Sequence, residues 1–337
     1  MIQARNLVKR FGPKVAVQDV SFDVEAGEVL GFLGPNGAGK STTMRMITGY
    51  LPPSAGTVTV GGHDIVEDAI AAKARIGYLP ENAPAYPEMT VRAFLRFVAE
   101  LHGRRGSERD KAVARVVETC FLQPVFQQPI ETLSKGFRHR TCLAQALISD
   151  PPVLVLDEPT DGLDPNQKHE VRNLIRRMGR EKAIIISTHI LEEVDAVCSR
   201  IIIIDSGKLV FNGDPDDLRA KSRMAGAVSL SVRGANSATV RETLGNVDGV
   251  GEVVILDEQG ELTKLVAYPE TPGTSTLAVE VGNALRAKAI PFEELHTERG
   301  RLDEVFREIT ASETDTKGTP DAGSETTTDP EKEEVAA

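Results

Sequence analysis

Residues Gly34–Pro35–Asn36–Gly37–Ala38–Gly39–Lys40–Ser41 fit the spacing G-x-x-x-x-G-K-S, and Thr42 follows directly. Glycines at these positions let consecutive backbone N–H groups converge on phosphate oxygens, and a helix starting at the lysine adds its positive end. A lysine here reaches β- and γ-phosphates, while the serine hydroxyl ligates Mg²⁺. The loop therefore predicts binding of a nucleotide polyphosphate and leaves open whether the base is adenine or guanine. A second group is acidic. Asp157 and Glu158 follow the apolar run Val153–Leu156, at the carboxyl edge where parallel sheets bind their ligands. Asp157 suits Mg²⁺ or a water held by it, and Glu158 is placed to polarise an attacking water. Adjacent carboxylates raise one another's proton affinity, which a cation beside Asp157 offsets.

Both groups need a sheet to hold them. Val29–Leu33 reads as a short buried strand entering the glycine-rich turn, with Ser41–Thr48 as the helix leaving it. Val153–Leu156 and Ile184–Ile186 are continuous apolar runs of the kind covered on both faces, and the segment of about 166–178 between them is helical. Strand, helix and strand in that order predict a parallel core. Upstream, Val20–Val24 alternates with a two-residue period, and Thr57–Val60 and Arg75–Leu79 are further short strands. From Thr90, a plausible cap, the period becomes helical: Val91, Phe94, Leu95, Val98 and Leu101, then Val113, Val116 and Val117. Ile201–Ile204 is a last strand of this unit, turning at Ser206–Gly207 into Leu209–Phe211.

These elements place one α/β domain at residues 1–220, with a helical subdomain at about 85–150. Strands at Ala227–Val232, Gly251–Leu256 and Leu262–Ala267 and a helix at Val281–Lys288 give a small α+β domain at 225–310. Residues 311–337 carry eight acidic residues against two lysines and no aromatic residue. Such a composition cannot repay ordering entropy, so a disordered acidic tail is expected. The whole chain of 337 residues is 40% apolar with a net charge of −11, which disfavours a nucleic-acid partner, since phosphate backbones call for clustered positive charge. Cys120, Cys142 and Cys198 form no ligand-spaced pair and read as buried, reduced thiols. Apolar runs such as Ala183–Ile186 fall far short of the roughly 20 residues a membrane helix needs. The opening residues do not read as a signal peptide, so any role at a membrane is expected to be peripheral.

Together with Leu133–Ser134–Lys135–Gly136–Phe137, these residues resemble the ABC ATPase family over residues 1 to about 215. The resemblance implies an ABC cassette of the P-loop NTPase class: a mixed core sheet with a helical subdomain and an antiparallel β subdomain. It further implies that Phe11 stacks on the adenine of ATP. Gly34–Ser41 and Thr42 hold the phosphates, and Ser41, Glu81 and Asp157 serve Mg²⁺. Glu158, His189 and Lys40 carry hydrolysis, and Asp161–Asp164 is a dimer-contacting loop. The resemblance implies a head-to-tail pair, formed with a second copy or a paralogous subunit, in which Ser134 and Gly136 of one subunit meet the γ-phosphate held by the other. Three positions depart from the family's commonest spelling: Lys135 replaces a glycine, Phe137 often a glutamine, and Glu81 a glutamine. The stretches Tyr78–Asn82, LSKGFRHR and DEPTDGLDPNQ look like the export-type subfamily, close to gliding-motility and multidrug-export ATPases, whose polytopic membrane permease is a separate chain. Leu302–Phe306 resembles the end of that subfamily's C-terminal extension. The expected place is the cytoplasmic face of the cell membrane. Soluble relatives acting on ribosomes or in DNA repair usually carry two cassettes or a coiled-coil insertion, and this chain has one phosphate loop and no heptad run.

Overall fold

The computed structural model describes residues 1–81, 85–273 and 276–311. β1 (Ile2–Phe11) and β2 (Lys14–Val24) form an antiparallel pair, in which Val20, Phe22 and Val24 are buried at the expected two-residue period. β3 (Val29–Leu33) is buried throughout and leads through the glycine-rich turn into α1 (Lys40–Ile47). β4 (Ala55–Val60), β5 (His63–Asp64) and α2 (Ala69–Lys73) precede β6 (Ile76–Leu79). Three helices follow: α3 (Val91–Leu101), α4 (Gly106–Thr119) and α5 (Lys135–Leu147). Thr90 caps α3, its hydroxyl accepting from the Ala93 amide at 3.1 Å. Val91, Phe94, Leu95 and Val98 are buried, but Leu101, the final residue of the helix, is 70% exposed, beyond the edge of the core.

β7 (Val153–Asp157), α6 (Pro165–Met178), β8 (Ala183–Thr188), α7 (Leu191–Val197), β9 (Arg200–Asp205), β10 (Lys208–Gly213) and α8 (Pro215–Arg219) complete this part of the chain. The central sheet has the order β10-β9-β3-β8-β7-β6. β9, β3, β8, β7 and β6 are parallel and only β10 is antiparallel, at the edge. Alternate residues of its strands enter different cores. Leu154, Leu156, Ile184 and Ile186 pack with α3–α6, whereas Val153, Val155 and Ile185 pack with β1, β2 and α1. Coverage on both faces is why these strands read as unbroken apolar runs.

The remaining elements are β11 (Val228–Arg233), α9 (Ser237–Gly245), β12 (Val250–Gln259), β13 (Leu262–Pro269), α10 (Leu277–Ala287), β14 (Phe292–Thr297) and α11 (Leu302–Ala311). Their sheet, β12-β13-β11-β14, is antiparallel throughout and has the split βαβ arrangement around its own core. α11 returns to the first part of the chain, carrying Leu302 and Val305 into a cluster with Leu33, Ile201, Ile203 and Leu218. Among the described residues no helix is long and apolar enough to cross a membrane. Cys120 and Cys142 are buried, while Cys198 is only partly so. Asn82 and the acidic segment 312–337 lie outside the described residues.

Candidate functional site

The turn after β3 is shaped by two close approaches. A Cβ on Gly34 would lie 2.2 Å from the Ile204 carbonyl oxygen, and one on Gly39 2.6 Å from that of Ala16. Gly39 also has φ +109, a conformation that L side chains rarely adopt. The turn is pinned from below, with the Gly207 amide donating to Ala38 O at 2.9 Å and the Gln18 amide to Gly207 O at 2.7 Å. No side chain caps the N-terminus of α1 and its first turn holds no acid, so its amides and dipole face an anion site. Pro35 and Ala38 shape the turn, while Asn36, Gly37, Gly39, Lys40, Ser41 and Thr42 line an open cleft of about 670 Å³. Lys40 curls over the turn and donates to Gly34 O at 2.7 Å and Pro35 O at 3.1 Å. Burial lowers its pKa, against the opposing pull of Glu158, Asp157 and Glu81.

The acidic pair stands across this loop. Asp157, at the end of β7, is 2% exposed and accepts from Ser41 Oγ at 3.4 Å and from Ser187 Oγ. Glu158 takes the left-handed φ of +51, and its amide donates to both Ser187 O and Ser187 Oγ at 3.1 Å. Its Oε1 lies 3.0 Å from His189 Nδ1, beyond the end of β8. Burial raises the Glu158 pKa, the hydrogen bond and charge of His189 and the charge of Lys40 draw it down, and Asp157 adds a smaller upward push. Glu81 and Phe11 complete the cleft, Phe11 half-exposed at its rim.

Ser134 and Gly136 do not line this cleft. α5 begins at Lys135, because Ser134 caps it by accepting from the Phe137 amide at 3.3 Å. Gly136 is covered by Gln167 of α6, whose Oε1 would lie 2.2 Å from an added Cβ. Lys135 turns within its own chain, crossing Gly162 to pair with Asp161 at 2.9 Å. Sequence reasoning did not single out Lys14, Ala16 and Asp161 as cleft residues, nor Ser187, Thr188 and Thr160, whose hydroxyls bond Asp157 and Glu193 outside it. Ser187 and Thr188 had a readable signal, being polar residues at the carboxyl end of a parallel strand.

The family model described as "ABC transporter" matches residues 17–161. The linearmycin resistance ATP-binding protein of Bacillus subtilis (strain 168) is 33% identical, over 89% of this chain and 96% of that protein. The Nod factor export ATP-binding protein I of Burkholderia lata is 38% identical, over 72% of this chain and 80% of that protein. A solved ATP-binding subunit of an ABC transporter superposes with a TM-score of 0.61 at 27% identity, over 65% of this chain and 92% of that one.

Proposed function

The chain belongs to the ABC transporter family, and from that premise we propose that it drives an exporter whose permease is a separate polytopic membrane protein. It is an ATP-binding, ATP-hydrolysing subunit. Relatives named for linearmycin resistance and Nod factor export support an export role. Its place is peripheral, on the cytoplasmic face of the membrane. It works in a head-to-tail pair with a second copy or a paralogous subunit.

One observation carries the assignment of residues: the phosphate loop, Glu158 and His189 line a single cleft, and Asp157 is bonded to Ser41 directly behind it. The turn amides and the start of α1 take the phosphates, and Lys40 exchanges its two carbonyl partners for the β- and γ-phosphate oxygens. Phe11 offers a half-exposed ring to the adenine. Ser41 and Asp157 present adjacent oxygens, and no cluster of three acidic, histidine or cysteine ligands occurs among the described residues. That donor set fits Mg²⁺, which is held by one or two carboxylates together with substrate phosphates. Ser41 and Asp157 would hold the ion, with Glu81 nearby, and when bound it neutralises phosphate charge. Glu158 accepts a proton from the attacking water, and His189 both orients Glu158 and meets the γ-phosphate. In the pair, Ser134 and the N-terminus of α5 close over the partner's nucleotide, which accounts for their place outside this chain's own cleft.

Lys40→Ala tests the reading. It should abolish ATP binding in calorimetric titration and abolish turnover, while melting stays cooperative. A variant that binds and hydrolyses ATP like the parent would remove the loop from the account.

A further inference from the structure

Glu193 of α7 belongs to no part of the cleft, yet it is a carboxylate only 2% exposed. A buried acid demands compensation, and its partners are specific. Oε1 accepts from Thr160 Oγ1, and Oε2 accepts from Thr188 Oγ1 at 2.9 Å. Lys168 and Arg172 of α6 supply positive charge at 3.9 and 3.8 Å. The space remaining among these groups is about 10 Å³, room for one water at most, so protein groups answer the carboxylate.

The two threonines sit at telling places. Thr160 follows Glu158 by two residues, across Pro159. Thr188 immediately precedes His189, and its hydroxyl also accepts from the Ile190 amide at 3.0 Å, closing the turn that presents the histidine. Glu158 meanwhile holds a left-handed φ that persists only where surroundings enforce it. Ser187 fixes that residue on its amide side, and Thr160 is the next side-chain anchor along the turn.

We propose that Glu193 is a positioning residue for hydrolysis, a single buried carboxylate that ties the Glu158 turn to the His189 turn and sets the contact between them. It acts through Thr160 and Thr188. The inference rests on Glu158 and His189 forming the hydrolytic pair.

The test uses the full chain with Mg·ATP, reading kcat, KM, ATP Kd and Tm. Glu193→Gln keeps the volume but presents an NH₂ group to one of the two hydroxyls. Misplacement of reacting groups by about 1 Å costs up to roughly 10²-fold, so kcat should fall by about tenfold or more. ATP Kd should stay within about threefold, because the phosphate loop makes no contact with Glu193. Thr188→Val and Thr160→Val are near-isosteric and should show smaller losses with the same split, which keeps the test intact if Glu193→Gln folds poorly. In a Glu158→Gln background, Glu193→Gln should lower the residual rate no further. The proposal is overturned by a parental kcat in Glu193→Gln and both threonine variants. It is equally overturned by a loss that persists undiminished in the Glu158→Gln background, or by kcat, KM and Tm deteriorating together. Parental turnover in Glu158→Gln alone is a separate outcome, one that overturns the hydrolytic reading itself.

Discussion

Gly39→Ala asks whether the shape of the phosphate loop, beyond its lysine, holds the nucleotide. The added Cβ would stand 2.6 Å from Ala16 O, where ordinary contact begins at 3.4 Å, so the two must separate by roughly 0.8 Å. Ala16 has little room to yield: it sits at an irregularity of β2, but Val15 and Val17 on either side pair with Arg10 and Lys9 of β1, and Gln18 is bonded to Gly207. The residue must also abandon or endure φ +109. Strain of that kind costs about 1–3 kcal/mol, and overpacking a further 1–3 kcal/mol. The cheapest escape is for the loop to leave its phosphate-binding conformation. A penalty of about 2–6 kcal/mol, taken wholly on binding, raises ATP Kd by roughly 30- to 20,000-fold. Calorimetric titration with ATP beside a thermal melt measures both parts. Gly260→Ala is the control: it has φ +61 but open space around the added Cβ, in the β12–β13 turn. It should cost about 1 kcal/mol of stability and leave ATP Kd alone. A Gly39→Ala protein binding ATP within threefold of the parent would refute the reasoning.

Four further outcomes are expected, three from the geometry of the site and its surroundings and one from composition. Because burial raises the Glu158 pKa, lowering the pH protonates it sooner than an ordinary glutamate, and kcat/KM should decline on a correspondingly early acid limb. His189→Ala removes a group that holds that pKa down, so the limb should move to still higher pH; an unmoved limb in rate profiles contradicts the pairing. Lys135 and Asp161 are both more than half exposed, so Lys135→Gly should cost at most about 1 kcal/mol, and a melting loss beyond that would show a larger role in folding. Removing residues 312–337, which hold no apolar anchor by composition, should leave Tm and turnover at parental values, and a drop of several degrees would show that they pack.

The parts legible in the sequence were those where local chemistry and burial agree. β3, α1, β7, α6 and β8 emerged within a residue or two, because a two-sided core demands unbroken apolar runs and the phosphate loop fixes its own flanks. Elements anchored by few apolar side chains were hidden. β14 reads FEELHT and buries only parts of Phe292 and Leu295 at a sheet edge. α9 is held by Val240 and Leu244, and its clearest mark was the Asn236 cap, which accepts from the Ala238 and Thr239 amides. Leu101 fits the helical period yet points to solvent, since periodicity does not say where a helix leaves its core. The site divides similarly. Lys40, Asp157 and Glu158 declared themselves by spacing, whereas nothing in the sequence paired Lys135 with Asp161, its partner in the same chain. Glu193 shares the helical period of Ile190, which precedes α7, and of Val194 and Val197 within it, but adjacent Glu192 has the same side chain, and only the fold distinguishes the buried acid from the solvated one.

Glu158→Gln tests the central claim most directly, because it keeps the side chain's volume and removes only its ability to take a proton. ATP affinity should survive, since binding rests on the phosphate loop. Turnover should fall by roughly 10²–10⁴-fold, the usual range for a lost acid–base group. Light scattering on a sizing column should then show a closed pair that accumulates with ATP and is absent with ADP. Turnover equal to the parent's would contradict the account, removing Glu158 from the chemistry and turning attention to Glu81, another acid lining the same cleft.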